Sequence, residues 1–317
     1  MESEAFLNFS KDIKSFAEKI GDILSMKIAT ITLSWNARKD LKEMLECVKR
    51  QSVKPSEVIV VDNASADGTA EMIKEFPFVR FFQLDRNYGY ASGYNIAFSK
   101  VSGDVDYVIV LDQDVMIGKG YIRTVLQRFK KEPDSTIIIA GDVREPLIKS
   151  LALKEGYVKE FHGSCYAYRN RYRRHMKFCE EFFGYNNEAD LSARLLDKGF
   201  RVLFYPRMKV AHKKDTTGIT PFTTFYMTRN AIWHYWRNGS IKDAILGSLT
   251  MMLVFYSKAS RNNTLPSYFR AVFSAFIGLP FCIRTRYPSK YVSYKDIHDV
   301  NFIAKRFGAA LRFLVKK

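Results

Sequence analysis

The sequence predicts an α/β protein with a mostly parallel β-sheet covered by helices on both faces, followed by a helical, basic C-terminal segment. The first observation is the alternation of short apolar runs with helix-like segments between residues 26 and 111, which is typical of a parallel sheet. The second is that these runs are almost continuously apolar, as strands buried on both faces are. The third is a change of composition near residue 221.

The predicted elements follow one another in a simple order. Residues 1–25 carry apolar side chains at helical spacing among charged ones, which predicts an amphipathic helix. An α/β domain then extends over residues 26–220. Its first half contains four predicted strands and three predicted helices: strands at 27–33, 57–61, 79–83 and 107–111, and helices at 39–51, 70–75 and 93–99. Two further strand-like runs occupy residues 201–205 and 208–211.

The C-terminal segment, residues 221–317, is predicted to be helical and basic. It contains 15 lysines and arginines against three aspartates, a surplus of +12 within the +17 of the whole chain. Its two apolar runs, 244–256 and 271–283, are too short to span a bilayer. Basic helices with apolar faces lie on anionic membranes, so we expect peripheral attachment. A plain helical subdomain or a homodimer interface is the alternative.

The cysteines and the start of the chain indicate the compartment. The four cysteines are scattered, without a Cys-x-x-Cys pair, which disfavours a zinc site or a disulfide scaffold and fits a reducing compartment. The acidic start of the sequence lacks a long apolar stretch, so no signal peptide is expected. Together with the C-terminal segment, these features predict a cytoplasmic protein on the inner face of the cell membrane.

Polar clusters follow three of the predicted strands. They occupy residues 34–36, 62–65 and 112–114. In open parallel sheets, ligands bind beyond the carboxyl ends of the strands, so these clusters are expected to meet at one edge. Asp112 and Asp114 stand one residue apart after the buried run 107–111. Carboxylate oxygens suit Mg²⁺ or Mn²⁺, which keep free positions for phosphate oxygens.

At these residues the chain resembles the family 2 glycosyltransferases, which have the GT-A fold. The resemblance covers residues 26–235 and depends on motifs in a fixed order. Residues 60–69 are similar to the second-strand motif, residues 87–95 to the Asn-x-Gly…Gly-x-Asn motif, and residues 111–114 to the metal motif of rhamnosyltransferase-like members. Residues 182–191 are similar to the acidic motif on the acceptor side, and the segment ending at His212 completes the pattern.

The resemblance implies a role for each matching residue. It assigns the metal to Asp112, Asp114 and His212, with Mg²⁺ or Mn²⁺ as the cofactor. It assigns the general base to Glu188, with Asp190 as the rival carboxylate. It assigns the nucleotide sugar to residues along the sheet edge: Ser34, Trp35, Asp62, Asn63, Asn87, Gly93, Asn95, Asp112 and Gln113.

Several of these positions depart from the family pattern or allow a structural interpretation. Asn63 stands where many members have aspartate, and Glu188 is longer than the usual aspartate base. Trp35 could pack on the core instead of stacking on a nucleotide base. Asp190 fits an acidic helix N-terminus as well as it fits a base, and a single histidine such as His212 is often structural.

The expected function is metal-dependent, inverting transfer from a nucleotide-diphospho sugar to a glycan or lipid-linked acceptor. The Asp-Gln-Asp form favours dTDP-rhamnose, and UDP-sugars remain open. The alternatives are a nucleotidyltransferase, which lacks support because no Gly-rich loop follows the first strand, and a nucleic-acid-binding protein, for which no reader motif is present. No nucleic-acid partner is therefore expected. The basic run 169–174 is interpreted as an acceptor-phosphate contact or a solvated loop.

Overall fold

A computed structural model of the chain describes residues 25–144, 154–213 and 218–296. The predicted helix over residues 1–25 lies almost wholly outside the described residues, as do residues 297–317. The described part contains nine strands in one sheet and nine α-helices. The strands are β1 Ile28–Ser34, β2 Glu57–Asp62, β3 Val79–Gln83, β4 Tyr107–Leu111, β5 Val115–Ile117, β6 Thr136–Arg144, β7 Gly156–Val158, β8 Cys165–Arg169 and β9 Arg201–His212.

Five helices belong to the α/β part and four to the C-terminal part. The first group comprises α1 Arg38–Lys49, α2 Thr69–Ile73, α3 Gly89–Lys100, α4 Tyr121–Phe129 and α5 Asn187–Asp197. The second comprises α6 Pro221–Asn238, α7 Ile241–Arg261, α8 Leu265–Ile277 and α9 Leu279–Arg284. The predicted strands and helices of the first half are present, and the third helix begins four residues earlier than predicted.

The sheet has the order β3-β2-β1-β4-β8-β6-β9-β5. Strand β7 pairs with residues 202–204, near the start of β9. Strands β1 to β4 are mutually parallel, β8 enters antiparallel beside β4, and β6 and β9 restore the first direction. Six of the nine described strands therefore run the same way. The expected mostly parallel sheet with helices on both faces is confirmed.

Alternation along the strands builds two hydrophobic layers. Ile28 faces a core that receives the apolar sides of α1, α2 and α4. Ala29 and Ile31 face the opposite core, formed with α3 and α5. Because both faces are covered, every residue of β4 is buried. The buried strands leave the polar residues that follow them at the carboxyl edge of the sheet.

The C-terminal helices form a bundle in which α7 and α8 both pack against α6. Thr220 caps α6 through a capping box with Thr223, and Pro221 occupies the first turn, where no backbone N–H is needed. A smaller apolar cluster joins this bundle to the loop at Phe182. Among the described helices, none has both the length and the apolar character needed to cross a membrane.

The basic run 169–174 begins at the edge of the sheet opposite the polar clusters. Arg169 pairs with Tyr107 at the amino end of β4, the edge opposite Asp112. Its guanidinium is buried and donates to the carbonyl oxygens of Thr136, Phe129 and Glu132. The acceptor-phosphate interpretation was wrong, because β8 runs antiparallel and carries its last residue away from the site.

Candidate active site

The carboxylate pair Asp112 and Asp114 lies where β4 ends at the carboxyl edge of the sheet. Strand β9 brings His212 to this pair, because Val115 of β5 is paired with His212. The Nε2 atom of His212 is 3.3 Å from Oδ1 of Asp114. One ligand atom from each of Asp112, Asp114 and His212 lies within 4.8 Å of the others. The three residues predicted to hold the metal therefore come together.

The electrostatics of this group favour a cation. Burial, followed by the charge of Asp114, raises the pKa of Asp112 to about 6. The hydroxyl of Tyr94 donates to Oδ1 of Asp112 at 3.0 Å, and the backbone N–H of Asp112 donates to the carbonyl of Ser164. Two carboxylates and an imidazole at this spacing are a suitable donor set for Mg²⁺ or Mn²⁺. A divalent ion would relieve the repulsion that raises the pKa of Asp112.

Gln113 links the metal motif to the end of β1. Its Oε1 accepts from the backbone N–H of Trp35 at 2.7 Å, and its Nε2 donates to the carbonyl of Trp35 at 3.3 Å. The Trp35 side chain is 51% exposed, so it does not pack into the core of the described structure. Beside it, the hydroxyl of Ser34 is buried and bonds no described residue. Both residues lie at the edge where the nucleotide sugar was predicted.

The last residue of β2, Asp62, and the residue after it, Asn63, form hydrogen bonds within the protein. Asp62 accepts from the backbone N–H and the hydroxyl of Ser65. Asn63 accepts from the N–H of Tyr88 through Oδ1 and donates to the carbonyl of Gly89 through Nδ2. Asn63 is also almost fully buried. Asn63 was predicted to contact the nucleotide sugar, whereas in this structure both ends of its amide hold the start of α3.

The motif at residues 87–95 likewise forms a framework. Asn87 accepts from the N–H of Gly89 and so forms the turn before α3. Gly93 packs so closely on Leu33 that an added Cβ would lie 2.6 Å from that side chain. Asn95 accepts from the N–H of Phe178 and donates to its carbonyl. These three residues shape the sheet edge, and the two asparagine side chains bond to backbone groups.

Glu188 stands in the first turn of α5, on the other side of this edge from α1. Burial raises the pKa of its carboxyl group to about 7, while a hydrogen bond from Tyr90 opposes the rise. The Tyr90 hydroxyl also lies 3.3 Å from the carbonyl of Gly163. A Cβ on Gly163 would be 2.0 Å from Glu188 Oε1, so only glycine leaves space for this carboxylate.

Asp190 has a different environment from Glu188, although both lie in the first turn of α5. Its Oδ1 accepts from Arg237 Nε and Asn238 Nδ2, and its Oδ2 accepts from Arg194 Nε. Burial opposes ionisation, but the two guanidinium groups outweigh it and hold the pKa of Asp190 below its usual value. Both oxygens accept hydrogen bonds from cationic or amide groups and the residue is fully buried, so Asp190 joins α5 to α6.

The loop that leads into α5 has an unusual backbone. Phe183, Tyr185 and Asn186 all have φ near +60°, a region that side-chain-bearing residues rarely adopt. Asn230 of α6 holds the loop, since its Nδ2 lies within hydrogen-bond distance of the carbonyl oxygens of Phe182, Gly184 and Tyr185. On the other side, the carbonyl of Phe183 accepts from the N–H of Tyr90.

Four residues of this arrangement were missed from the sequence: Tyr90, Gly163, Asn230 and Arg237. Tyr90 lies within the motif at residues 87–95, and its hydroxyl group was the feature that could have indicated a polar role. The other three carry no local signal, because their contacts come from distant segments. The buried amide of Asn187, next to Glu188, bonds no described residue at either end.

Comparison with known proteins identifies the class to which this fold and site belong. The model of the glycosyl transferase family 2 matches residues 30–194. That is more than half of the chain, and the chain belongs to this family. It is a glycosyltransferase with a GT-A fold, as the resemblance implied.

The individual proteins that the chain resembles have low sequence identity to it. N-acetylglucosaminyl-diphospho-decaprenol L-rhamnosyltransferase of Mycobacterium tuberculosis is 23% identical over 241 residues, covering 61% of this chain and 78% of the relative. Staphylococcus aureus TarS in complex with UDP-GlcNAc superposes with a TM-score of 0.58 at 14% identity, covering 82% of this chain and 84% of TarS. A Pyrobaculum calidifontis mannosyltransferase with GDP-Man and Mn²⁺ gives 0.55 at 15% identity, covering 83% and 84%. These likenesses to solved structures establish the fold.

Proposed function

We propose that the protein is a metal-dependent, inverting glycosyltransferase that moves a sugar from a nucleotide-diphospho sugar to a lipid-linked glycan acceptor. The observation that carries the proposal is the pairing of two unlike acidic sites at one sheet edge. The first is the metal-ligand set Asp112, Asp114 and His212. The second is the carboxylate of Glu188, whose raised pKa suits a general base.

The two acidic sites have different roles in the proposed reaction. A divalent ion held by the first set would neutralise the diphosphate as it leaves. Glu188 accepts the proton of the acceptor hydroxyl while that oxygen attacks the anomeric carbon from the face opposite the diphosphate, which inverts the configuration. Tyr90 donates a hydrogen bond to the Glu188 carboxylate and orients it. Trp35 stacks on the nucleotide base, Gln113 holds Trp35 in place, and Asp62 holds the turn at Ser65 beside it.

The donor and acceptor are proposed from relatives. The mycobacterial relative is named a rhamnosyltransferase acting on a diphospho-decaprenol acceptor, and TarS was solved with UDP-GlcNAc. We assign this chain a dTDP-rhamnose or UDP-sugar donor and an acceptor attached to a lipid diphosphate. The family match supports neither of the alternatives, a nucleotidyltransferase and a nucleic-acid-binding protein.

Thermal denaturation with nucleotide diphosphates tests the donor site. UDP or dTDP at 100 times its Kd should stabilise the protein by about 2.7 kcal/mol when Mn²⁺ is present. The stabilisation should disappear in excess EDTA, because the diphosphate then has no ion to bind. ADP with Mn²⁺ is the matched control for unspecific diphosphate binding. Equal stabilisation by all three nucleotides with and without metal would contradict the proposed donor site.

The outer surface of the C-terminal helices supports a location at an anionic membrane. The α8 apolar face consists of Phe269, Phe273, Phe276 and Ile277, each more than half exposed. Ile241, Ile245 and Leu249 of α7 are also exposed, and Arg270 and Arg284 lie among these helices. Exposed apolar surface beside basic side chains fits the interface of a bilayer with anionic head groups.

Flotation with liposomes tests this location. The protein should float with vesicles containing phosphatidylglycerol and not with pure phosphatidylcholine, and high salt should weaken the association. The double change Phe273→Ser and Phe276→Ser should reduce flotation at least several-fold. Phe78→Ser is the matched control, since Phe78 is also exposed but precedes β3 at the opposite edge. Failure to float with either vesicle, together with a dimer in solution, would assign this face to a homodimer instead.

A further inference from the structure

Helix α6 presents a half-exposed line of aromatic side chains beside the loop that leads to Glu188. Phe222, Phe225 and Tyr226 are spaced so that they fall on one side of the helix. The rings of Phe222 and Tyr226 are 4.8 Å apart, and Tyr226 stacks on Phe183 at 5.1 Å. Phe222 is 51% exposed. We call Phe222, Phe225 and Tyr226 the aromatic stripe.

The stripe carries positive charge that no described carboxylate neutralises. Arg229 is one helical turn beyond Phe225 and half-buried. Its guanidinium lies over the rings of Phe225, Tyr226 and Trp233, at 5.5, 4.9 and 4.2 Å. Its hydrogen bonds go to the carbonyls of Glu181 and Phe182 and to the side chain of Asn230. A half-buried cation with only neutral partners favours an anion close by.

A second arginine reaches the same ring from another helix. The guanidinium of Arg270 on α8 lies 6.0 Å from the centre of the Phe225 ring. Phe225 therefore has a cation on each of two neighbouring helices. Two guanidinium groups form the kind of donor set that binds a diphosphate. Arg270 also places the stripe next to the α8 apolar face, because Phe269 and Phe273 belong to the same helix.

The other end of the stripe meets the base-bearing loop. Tyr185 precedes Glu188 by three residues, and its ring contacts Phe222 with centroids 6.5 Å apart. The carbonyl of Phe183 accepts from the N–H of Tyr90, the residue whose hydroxyl bonds Glu188. The stripe therefore contacts the loop before Glu188 through Phe222 and reaches α8 through Arg270.

We propose that the aromatic stripe, Arg229 and Arg270 form a binding site for the prenyl diphosphate part of the lipid-linked acceptor. The rings contact the isoprenoid chain, and the two guanidinium groups bind the diphosphate. This inference rests on the proposed function and assigns residues to an acceptor class. An apolar surface alone would fit many ligands, but an apolar surface with two arginines that no described carboxylate neutralises selects an amphiphile with an anionic head.

Calorimetric titration of the full chain with three probes tests the site. The probes are farnesyl diphosphate, inorganic pyrophosphate and farnesol, all in EDTA so that no diphosphate binds through a metal at Asp112 and Asp114. Farnesyl diphosphate should bind at least tenfold more tightly than either of the other two. Equal binding of farnesyl diphosphate and pyrophosphate would overturn the proposal, as would equal binding of farnesyl diphosphate and farnesol.

Variants separate the two parts of the site. Phe222→Ala should weaken farnesyl diphosphate about tenfold and leave pyrophosphate unchanged, since one ring contact is lost. Arg270→Gln should weaken both. Phe78→Ala, an exposed phenylalanine outside the stripe, should change neither. If Phe222→Ala behaves like Phe78→Ala, the stripe does not bind the chain.

Two further measurements keep the outcome unambiguous. Stabilisation by UDP or dTDP with Mn²⁺ should be the same in Phe222→Ala as in the wild type. Donor binding without farnesyl diphosphate binding would reject this site alone, whereas loss of both in the wild type would reject the proposed function. If Phe222→Ala reduces flotation with plain phosphatidylglycerol vesicles as much as it reduces farnesyl diphosphate binding, the stripe is a bilayer contact and the proposal fails.

Discussion

Asp114→Asn is expected to lower sugar transfer by at least about 10³-fold while the protein stays folded. Asp114 lies on the sheet edge with its carboxylate 3.3 Å from His212 and shares the candidate metal site with Asp112. The amide removes one of two anionic ligands and leaves the shape unchanged. Stabilisation by UDP or dTDP with Mn²⁺ should be lost in the same variant. Turnover of the nucleotide sugar and the melting temperature are the two measurements.

Asp104→Asn is the matched control for this change. Asp104 is exposed and pairs with Lys27, near the amino end of β4 and therefore at the opposite edge of the sheet. Its loss should leave transfer within a factor of two. Full activity of the wild type in excess EDTA would contradict the metal-dependent mechanism, whatever the variants do.

Glu188→Gln is expected to reduce turnover by roughly 10²–10⁴-fold and to leave donor binding intact. The amide occupies the same space beside Gly163 but cannot accept the proton of the acceptor hydroxyl. The wild-type rate should rise with pH through about 7, because the base acts as the carboxylate and burial raises the pKa of Glu188 to about 7. In the variant this rise should disappear.

The direction in which Glu188→Gln changes the stability of the protein can also be predicted. The pKa of Glu188 is higher in the folded protein than in the unfolded chain, so the folded state binds more protons and its free energy of unfolding falls as pH rises. The loss begins near pH 4.5 and is complete above about pH 7. Glu188→Gln removes the buried charge and should stabilise the protein at pH 8 by roughly 3 kcal/mol. Near pH 4 the two proteins should unfold alike.

Asp190→Asn provides the contrast. Asp190 is fully buried between Arg194 and Arg237, so its replacement leaves two guanidinium groups without their carboxylate. Breaking such a pair costs about 3–5 kcal/mol of stability. The expected result is a lower melting temperature with residual transfer in the fraction that stays folded. A stable Asp190→Asn protein without activity, together with a mild Glu188→Gln, would transfer the role of base to Asp190.

The first half of the fold could be predicted from the sequence because the patterns that indicate its strands are local. Strands β1, β2 and β4 are largely apolar and buried, and the polar residues at their ends mark the carboxyl edge. Between β4 and α5 the chain could not be assigned in the same way. There β8 enters antiparallel between β4 and β6, an order that depends on pairing between residues far apart in the sequence.

The same distinction between local and long-range information applies to the candidate site. The metal set was predictable because Asp112, Asp114 and His212 lie within motifs of the family. The environment of Glu188 was not, since Gly163 and Tyr90 reach it from other elements. The difference between Glu188 and Asp190 could not be read from a motif in which they are two residues apart. It depends on Arg237, which is 47 residues from Asp190.

The strained loop before α5 has a consequence for engineering. Asn230 and Arg237 of α6 hold the backbone of residues 182–186 and the carboxylate of Asp190. A chimera that joined this sheet to the C-terminal helices of another glycosyltransferase would change acceptor specificity only if the grafted helices kept an asparagine and an arginine at these two places. Without them, the graft would supply a new acceptor surface and lose the geometry of the loop that leads to Glu188. With the acceptor site proposed above, the same helices would bind the acceptor and shape the loop before Glu188, so recombination between family members would exchange both properties together.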